Sequence, residues 1–397
     1  MRITALETVQ LPAYGNILWV RLHTDAGTVG LGETFRGAHA VAAFLHHDIA
    51  PQILGMDAGR IDLISQRLTQ PYVGSRSSGA EMRAASAVDI ALWDLLGKRT
   101  GLPVHQLLGG LGRERIRTYN TCAGTSYNRS GTRRLIEGVA PAVGAYDDQA
   151  AFMADAGALA ESLLAEGIGA MKIWPFDRFA VPSDGHFISQ ADIEQGLEPF
   201  RRIREAVGSR MEIMVEMHGM WDLPAALAIA RALRPFRPFW LEDPIRLHDP
   251  EAMASFAQRS GVPVCASETA ATRAQFLDLL RARAVDYVML DVSWCGGLSE
   301  AKKIATLAEA HQRPVAPHDC TGPVVYAAST HLALNAPNAI FQESVRAYYR
   351  GWYRDLVTAL PAVEDGHLLP MNAPGLGLEL SAAVLEAPDA IIRRTGS

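Results

Sequence analysis

The chain has 397 residues, 49% of them apolar and 20% charged, a balance that supports a sizeable globular core. Its 37 basic and 43 acidic side chains leave a net charge of −6, so no basic stripe marks it for nucleic acid or an anionic membrane. The 34 glycines and 22 prolines are scattered, which excludes collagen-like and low-complexity fibres.

The opening stretch, MRITALETVQLPAYG, mixes charge and polarity before any apolar run, so no signal peptide is expected there. The most apolar windows, such as AALAIARAL, are too short or too interrupted to span a bilayer, and a cytoplasmic location is the expectation. Cys122, Cys265, Cys295 and Cys320 stand far apart with no CxxC and are expected to be buried free thiols. NILWVRLHTDAGTVGLGE then reads as two alternating strands joined by a turn at Asp25-Ala26-Gly27. Helical patterns follow at 38–50, 60–69 and 83–99. In the last of these, Ala84, Ala87, Val88, Ala91, Leu92 and Leu95 recur at helical spacing ahead of Gly101 and Pro103. Strands followed by helices predict a small α+β domain over 1–115.

From Arg115 onward, short apolar runs alternate with amphipathic segments. The runs fall at 116–122, 169–174, 211–216, 238–242, 263–267, 286–291, 313–317 and 339–343. Helical patterns lie between them near 149–166, 194–207, 223–234, 249–260, 272–283, 298–310 and 323–335. Eight strands separated by helices predict a parallel (β/α)8-type barrel over 116–354. The long stretch between the first two runs, and the segment 177–192, read as loop insertions. The turn-rich end, 355–397, is expected to return to the first domain.

In such a barrel the chemistry belongs at the C-terminal ends of the strands. Three successive runs deliver an acid there: Glu216, Glu242 and Glu268, equally spaced, one βα unit apart. Three carboxylates aimed at one spot repel unless a cation shares them, and an all-oxygen set suits Mg²⁺ rather than zinc. Solvated or salt-bridged strand ends are the alternative reading. Asp291 ends the sixth run and His318 follows the seventh. An Asp bonded to one imidazole nitrogen fixes the tautomer and leaves the other nitrogen as a general base. Glu343, ending the eighth run, reads either as a partner for a substrate carboxylate or as a structural acid. Lys172 in the second run shares its side with Trp174 by the period-two rule; it could neutralise a substrate carboxylate, act as a base, or only reach solvent. His218, two residues past Glu216, leans toward the same pocket and suits a general acid, with simple packing as the alternative.

The motif SAVDIALWDLLGKRTGLPVHQLLGG, with Glu216, Glu242, Glu268, Asp291 and His318 in order, resembles the enolase superfamily, mandelate racemase subgroup, over essentially the whole chain. The resemblance implies an α/β fold: a modified TIM barrel, (β/α)7β, with an α+β capping domain. It implies Mg²⁺ held by Glu216, Glu242 and Glu268, an Asp291–His318 dyad, and Glu343 beside the enolate oxygen. One position departs. Racemases of the subgroup read Lys-x-Lys on strand two, whereas this chain reads Lys172-Ile173-Trp174, which speaks against two-base racemisation. His218 is similar to the histidine of galactonate-type sugar acid dehydratases, which protonates the departing hydroxyl. The implied reaction removes the proton alpha to a carboxylate and eliminates the β-hydroxyl as water, giving a 2-keto-3-deoxy sugar acid. An epimerase, racemase or cycloisomerase of the same subgroup acting on a sugar acid or its anhydro or lactone form, and a catalytically silent sugar acid-binding protein, are the alternatives. Substrate contacts are expected from the cap turn Ala13–Asn16, the loop Tyr72–Gly79, and from Arg36, Tyr72, Arg76, Asn120, Trp174 and Trp294. The family also implies a homo-oligomer with a small-molecule partner.

Overall fold

The N-terminal residues form an antiparallel meander of β1 (Ile3–Gln10), β2 (Ile17–Thr24) and β3 (Val29–Phe35). The computed structural model describes residues 1–70, 78–129 and 146–397. The β2–β3 turn falls at the expected place, with Gly27 at φ +77. β1 is a strand that the sequence pattern does not mark. Seven of its eight residues are buried, so the period-two alternation that flags a half-exposed strand is missing. The helix Ala80–Thr100 lies across the meander. A Cβ on Gly32 would stand 1.9 Å from the Ala87 carbonyl oxygen, and one on Gly30 would stand 2.3 Å from that of Ala91. Helix and sheet therefore approach this closely only because both positions lack a side chain.

The eight apolar runs form the barrel. The strands are β4 (Ile116–Thr121), β5 (Ala170–Ile173), β6 (Glu212–Glu216), β7 (Trp240–Glu242), β8 (Val264–Ala266), β9 (Tyr287–Val288) and β10 (Gln342–Ser344). Neighbours from β4 to β9 pair in parallel, and β10 pairs with β4. The seventh run enters through two isolated parallel bridges, Val288–Val315 and Val315–Ala339, which carry the ring from β9 to β10. Helices Asp148–Ala165, Gln190–Val207, Leu223–Leu233, Pro250–Ser260, Thr272–Arg281, Gly297–Ala310 and Pro323–Asn335 follow the first seven runs in turn. The segment 177–192 is more than a loop, since it carries the short helix Asp177–Ala180.

In the C-terminal segment, β11 (Val363–Glu364) and β12 (His367–Leu368) form a hairpin against β4, and β13 (Ile391–Gly396) pairs with β1. All four cysteines are buried and free. Among the described residues no helix is long and apolar enough to cross a membrane.

Inside the ring, each run contributes one residue to an apolar floor: Tyr119, Ala170, Met214, Trp240, Cys265, Met289, Ala316 and Phe341. Side chains on a strand alternate, so two residues farther along each run the chain faces the interior again, one level higher. That level reads Thr121, Lys172, Glu216, Glu242, Ser267, Asp291, His318 and Glu343. A dry floor thus lies beneath a ring of polar and charged side chains.

Candidate active site

Glu216 and Glu242 close β6 and β7 as direct partners in the ladder, and Glu268 stands two residues past β8. One carboxylate oxygen from each lies within 4.8 Å of the other two. Burial, followed by the neighbouring charge of Glu216, pushes Glu242 well above the usual carboxylate range. Burial would also raise Glu268, but His318 and Lys172 more than offset it and hold it well below that range. Three crowded hard oxygen donors, two of them buried and Glu268 half-buried, are the chemistry that a divalent cation such as Mg²⁺ requires, so the residues present fit that ion.

Lys172 is buried amid this set. Its Nζ lies 2.5 Å from Glu242 Oε1, 2.9 Å from Glu343 Oε1 and 3.5 Å from Glu216 Oε2. It is paired rather than reaching solvent, and although burial disfavours its charge, these carboxylates raise its pKa well above the ordinary value. Glu343 is held by Lys172, by the Thr121 hydroxyl and by the Asp319 backbone N–H at 3.0 Å. His318 Nδ1 lies 2.7 Å from Asp291 Oδ2, and its Nε2 lies 2.7 Å from Glu268 Oε2. Burial would lower this imidazole, but Glu268, Glu343 and Asp291 hold it well above its usual value.

His218 enters the same cavity from the β6 side. Its backbone adopts φ +48, and its N–H donates to Glu216 Oε1 at 2.6 Å, which couples the imidazole's aim to the carboxylate cluster. Nδ1 lies 2.6 Å from Asp177 Oδ2, and Nε2 lies 3.3 Å from the Tyr127 hydroxyl. Burial alone would lower its pKa, whereas Asp177 and Glu216 raise it to about 10. Trp174 forms the adjoining wall, its ring centre 5.2 Å from Tyr127 and 5.9 Å from His218. Trp294 covers the other histidine, with ring centres 5.8 Å apart. Phe35 and Arg36 close the cavity from the cap.

One expected contact is placed elsewhere. Asn120 does not face the cavity: its amide donates to Asp148 Oδ2 at 2.9 Å and accepts from the Arg346 backbone N–H at 2.7 Å, in the layer between β4 and the helices. Tyr119 and Thr121 take the interior positions on β4, so Asn120 between them must point outward. Tyr72 and Arg76, with residues 71–77 of the loop expected to hold them, lie outside the described residues. The structure adds residues the sequence reading does not contain: Thr121, Tyr127, Asn128 and Asp177. Only Thr121 carries a sequence signal, since it stands two places beyond the floor residue Tyr119.

Comparison with known proteins agrees with this geometry. Residues 3–109 match the family model of the mandelate racemase / muconate lactonizing enzyme N-terminal domain, and residues 155–384 match the enolase C-terminal domain-like model. The chain belongs to the enolase superfamily, mandelate racemase subgroup. Among curated relatives, a D-galactonate dehydratase of Pectobacterium atrosepticum is 30% identical, covering 98% of this chain and 96% of the relative. A D-galactonate dehydratase of Ralstonia nicotianae matches to the same extent. Among solved structures, a mandelate racemase subgroup enolase from Agrobacterium tumefaciens superposes with a TM-score of 0.89 at 50% identity, over 100% of this chain and 99% of that one. An enolase protein from Sargasso Sea environmental sequencing gives 0.89 at 48%, with the same coverage. The superfamily fold, a modified TIM barrel with an α+β cap, is thus the fold of this chain.

Proposed function

We propose that this protein is a Mg²⁺-dependent sugar acid dehydratase, a hydro-lyase that converts a sugar acid into its 2-keto-3-deoxy product. The observation that carries the reading is the pair of histidines. His318 backed by Asp291, and His218 backed by Asp177, line one cavity with Glu216, Glu268 and Lys172. Elimination of water needs both a base for the α-proton and an acid for the departing hydroxyl. The curated relatives named D-galactonate dehydratases support the same reaction class.

In this reading Lys172 neutralises the substrate carboxylate and Glu343 stands beside the developing enolate oxygen. His318 Nε2 takes the α-proton while Asp291 holds the opposite nitrogen. His218 Nε2 delivers a proton to the β-hydroxyl, with Asp177 fixing its ring. Mg²⁺, held by Glu216, Glu242 and Glu268, would supply positive charge that favours the electron-rich transition state and offsets the carboxylates that keep His318 protonated. Trp174, packed against Tyr127 and Phe152, puts no base at its own position, which disfavours the epimerase alternative. The setting that goes with this reading is a cytoplasmic homo-oligomer.

The test is turnover of a panel of sugar acids with Mg²⁺, scored for 2-keto-3-deoxy products. Epimer interconversion or lactone opening without a keto product would favour the alternative enzymes. No turnover of any acid would favour the silent binder.

A further inference from the structure

Arg36 follows the last residue of β3 and reaches the cavity from the cap side. Its backbone is left-handed at φ +65, as is that of Gly37 at φ +66, and its N–H donates to the Asn16 carbonyl at 2.7 Å. A non-glycine residue in this region is uncommon. The guanidinium carbon lies 5.8 Å from the Phe35 ring centre and 5.9 Å from that of Trp294. A second guanidinium, Arg83 in the first turn of the helix Ala80–Thr100, stands 4.9 Å from the same indole.

Among the described residues neither guanidinium has an ion pair or a hydrogen-bond partner, and the Nε of each is buried and unsatisfied. Both side chains are half-buried; the fully buried guanidinium of Arg346, by contrast, meets Asp148 at 2.6 Å and Glu166 at 2.8 Å. Two like charges against one indole gain some cation–π attraction, but the ring brings no negative charge. Burial and the charge of Arg36 together disfavour the protonated form of Arg83. Asp291, Glu268 and Glu81 favour the charge on Arg83 from a distance, but among the described residues none pairs with either guanidinium, so an anion brought by a ligand would be their first direct partner. Trp294 bridges the two ends of the cavity, its ring 5.8 Å from that of His318 and in contact with Arg36. A short-chain acid with its reacting carboxylate near Lys172 would extend its far end toward this pair.

We infer that the cavity selects a sugar acid with a second anionic group at the end remote from the reacting carboxylate, and that Arg36 binds that group while Arg83 reinforces the field. The group is a second carboxylate or a terminal phosphate ester, since both fit a guanidinium fork. This inference rests on the reading of the inner site as a sugar acid dehydratase.

The test compares configuration-matched aldonates, aldarates and 6-phosphoaldonates with Mg²⁺, for the parent and for Arg36→Gln. A charge-assisted contact predicts kcat/KM roughly 10–100-fold higher for one dianionic series than for the aldonates. Which series is preferred identifies the carboxylate or the phosphate. Arg36→Gln should shrink that preference to within about threefold, mainly through KM. Equal turnover of aldonates and dianionic acids, or a preference untouched by Arg36→Gln, overturns the inference and leaves the dehydratase reading standing. If no acid is turned over, the inner-site reading fails, and calorimetry on the intact protein with Mg²⁺ decides the anion site. Glutarate binding that exceeds pentanoate binding and is lost in Arg36→Gln keeps it; equal binding removes it.

Discussion

Two histidines share one cavity, and the carboxylate behind each gives it a distinct place: Asp291 behind His318, Asp177 behind His218. In the proposed reaction, proton removal and hydroxyl departure are separate events, so the two side chains should fail differently. His318→Asn is expected to abolish both α-proton exchange into deuterated water and dehydration. His218→Asn should keep exchange while dehydration falls roughly 10²–10⁴-fold, the usual worth of a general acid. Exchange followed by NMR beside a keto-acid assay distinguishes the two, and equal loss of both rates in His218→Asn would count against the assignment. The carboxylates make their own prediction. Titrating Mg²⁺ should raise the Tm of the parent, by an amount equivalent to about 2.7 kcal/mol at a hundred times Kd. Glu242→Gln should show little or no rise, because a ligand that also pairs with Glu216 in the ladder has gone.

At the scale of the element, strand register does most of the placing. The floor of Tyr119, Met214, Trp240 and Phe341 excludes water from below, and the next inward position on each strand carries the polar ring. The same alternation turns Asn120 outward, into a buried network with a different purpose. Arg346, just past β10, binds Asp148 and Glu166 on the first barrel helix and its C-cap, and its N–H holds Asn120. This ties the last strand to the first helix across the closure of the ring. Arg346→Met would strand the Asp148 carboxylate in a buried setting, and a loss of about 3–5 kcal/mol is expected in urea unfolding. Replacing Asp148 by Leu in the same protein should recover part of that loss, since no lone charge then remains. A double variant no more stable than Arg346→Met would show that the pair is not what holds the two elements.

Over the whole molecule, the cap is joined to the barrel through buried polar contacts. Glu33 on β3 accepts from Trp19 Nε1 at 2.7 Å and from the Val325 N–H at 3.0 Å, reaching the helix that follows His318. On another part of the seam, His331 Nε2 donates to the Leu376 carbonyl at 3.1 Å, and its Nδ1 accepts from the His105 N–H at 3.2 Å. Burial, with the adjacent His105, pushes His331 down to about 4. The unfolded chain then takes up a proton that the native state refuses. The contribution of His331 to stability is therefore complete above about pH 6.5 and is lost as pH falls toward 4, at about 1.4 kcal/mol per pH unit. Tm measured from pH 7.5 to 4.5 should fall more steeply in the parent than in His331→Gln, whose amide can keep both bonds without titrating. Parallel curves would dismiss this histidine as the acid-sensitive point.

The amino-acid sequence by itself determined the barrel, its capping domain and the ring of charged side chains at the strand ends. Those features follow from local periods: alternation decides which residues share a face, and one βα unit between acids brings Glu216, Glu242 and Glu268 to adjacent strands. Strand β1 escaped because burial on both faces erases its alternation. Tertiary structure alone decided the rest. Asp177 meets His218 only because a short helix in the insertion folds over the strand ends, and Tyr127 and Asn128 reach the cavity from an aperiodic turn. Arg36 and Arg83 come together on Trp294 from a strand end, a helix start and a barrel loop widely separated in the chain. No period links such positions, so their meeting is set by how cap and barrel close on each other, and that is an outcome of packing rather than of any local pattern.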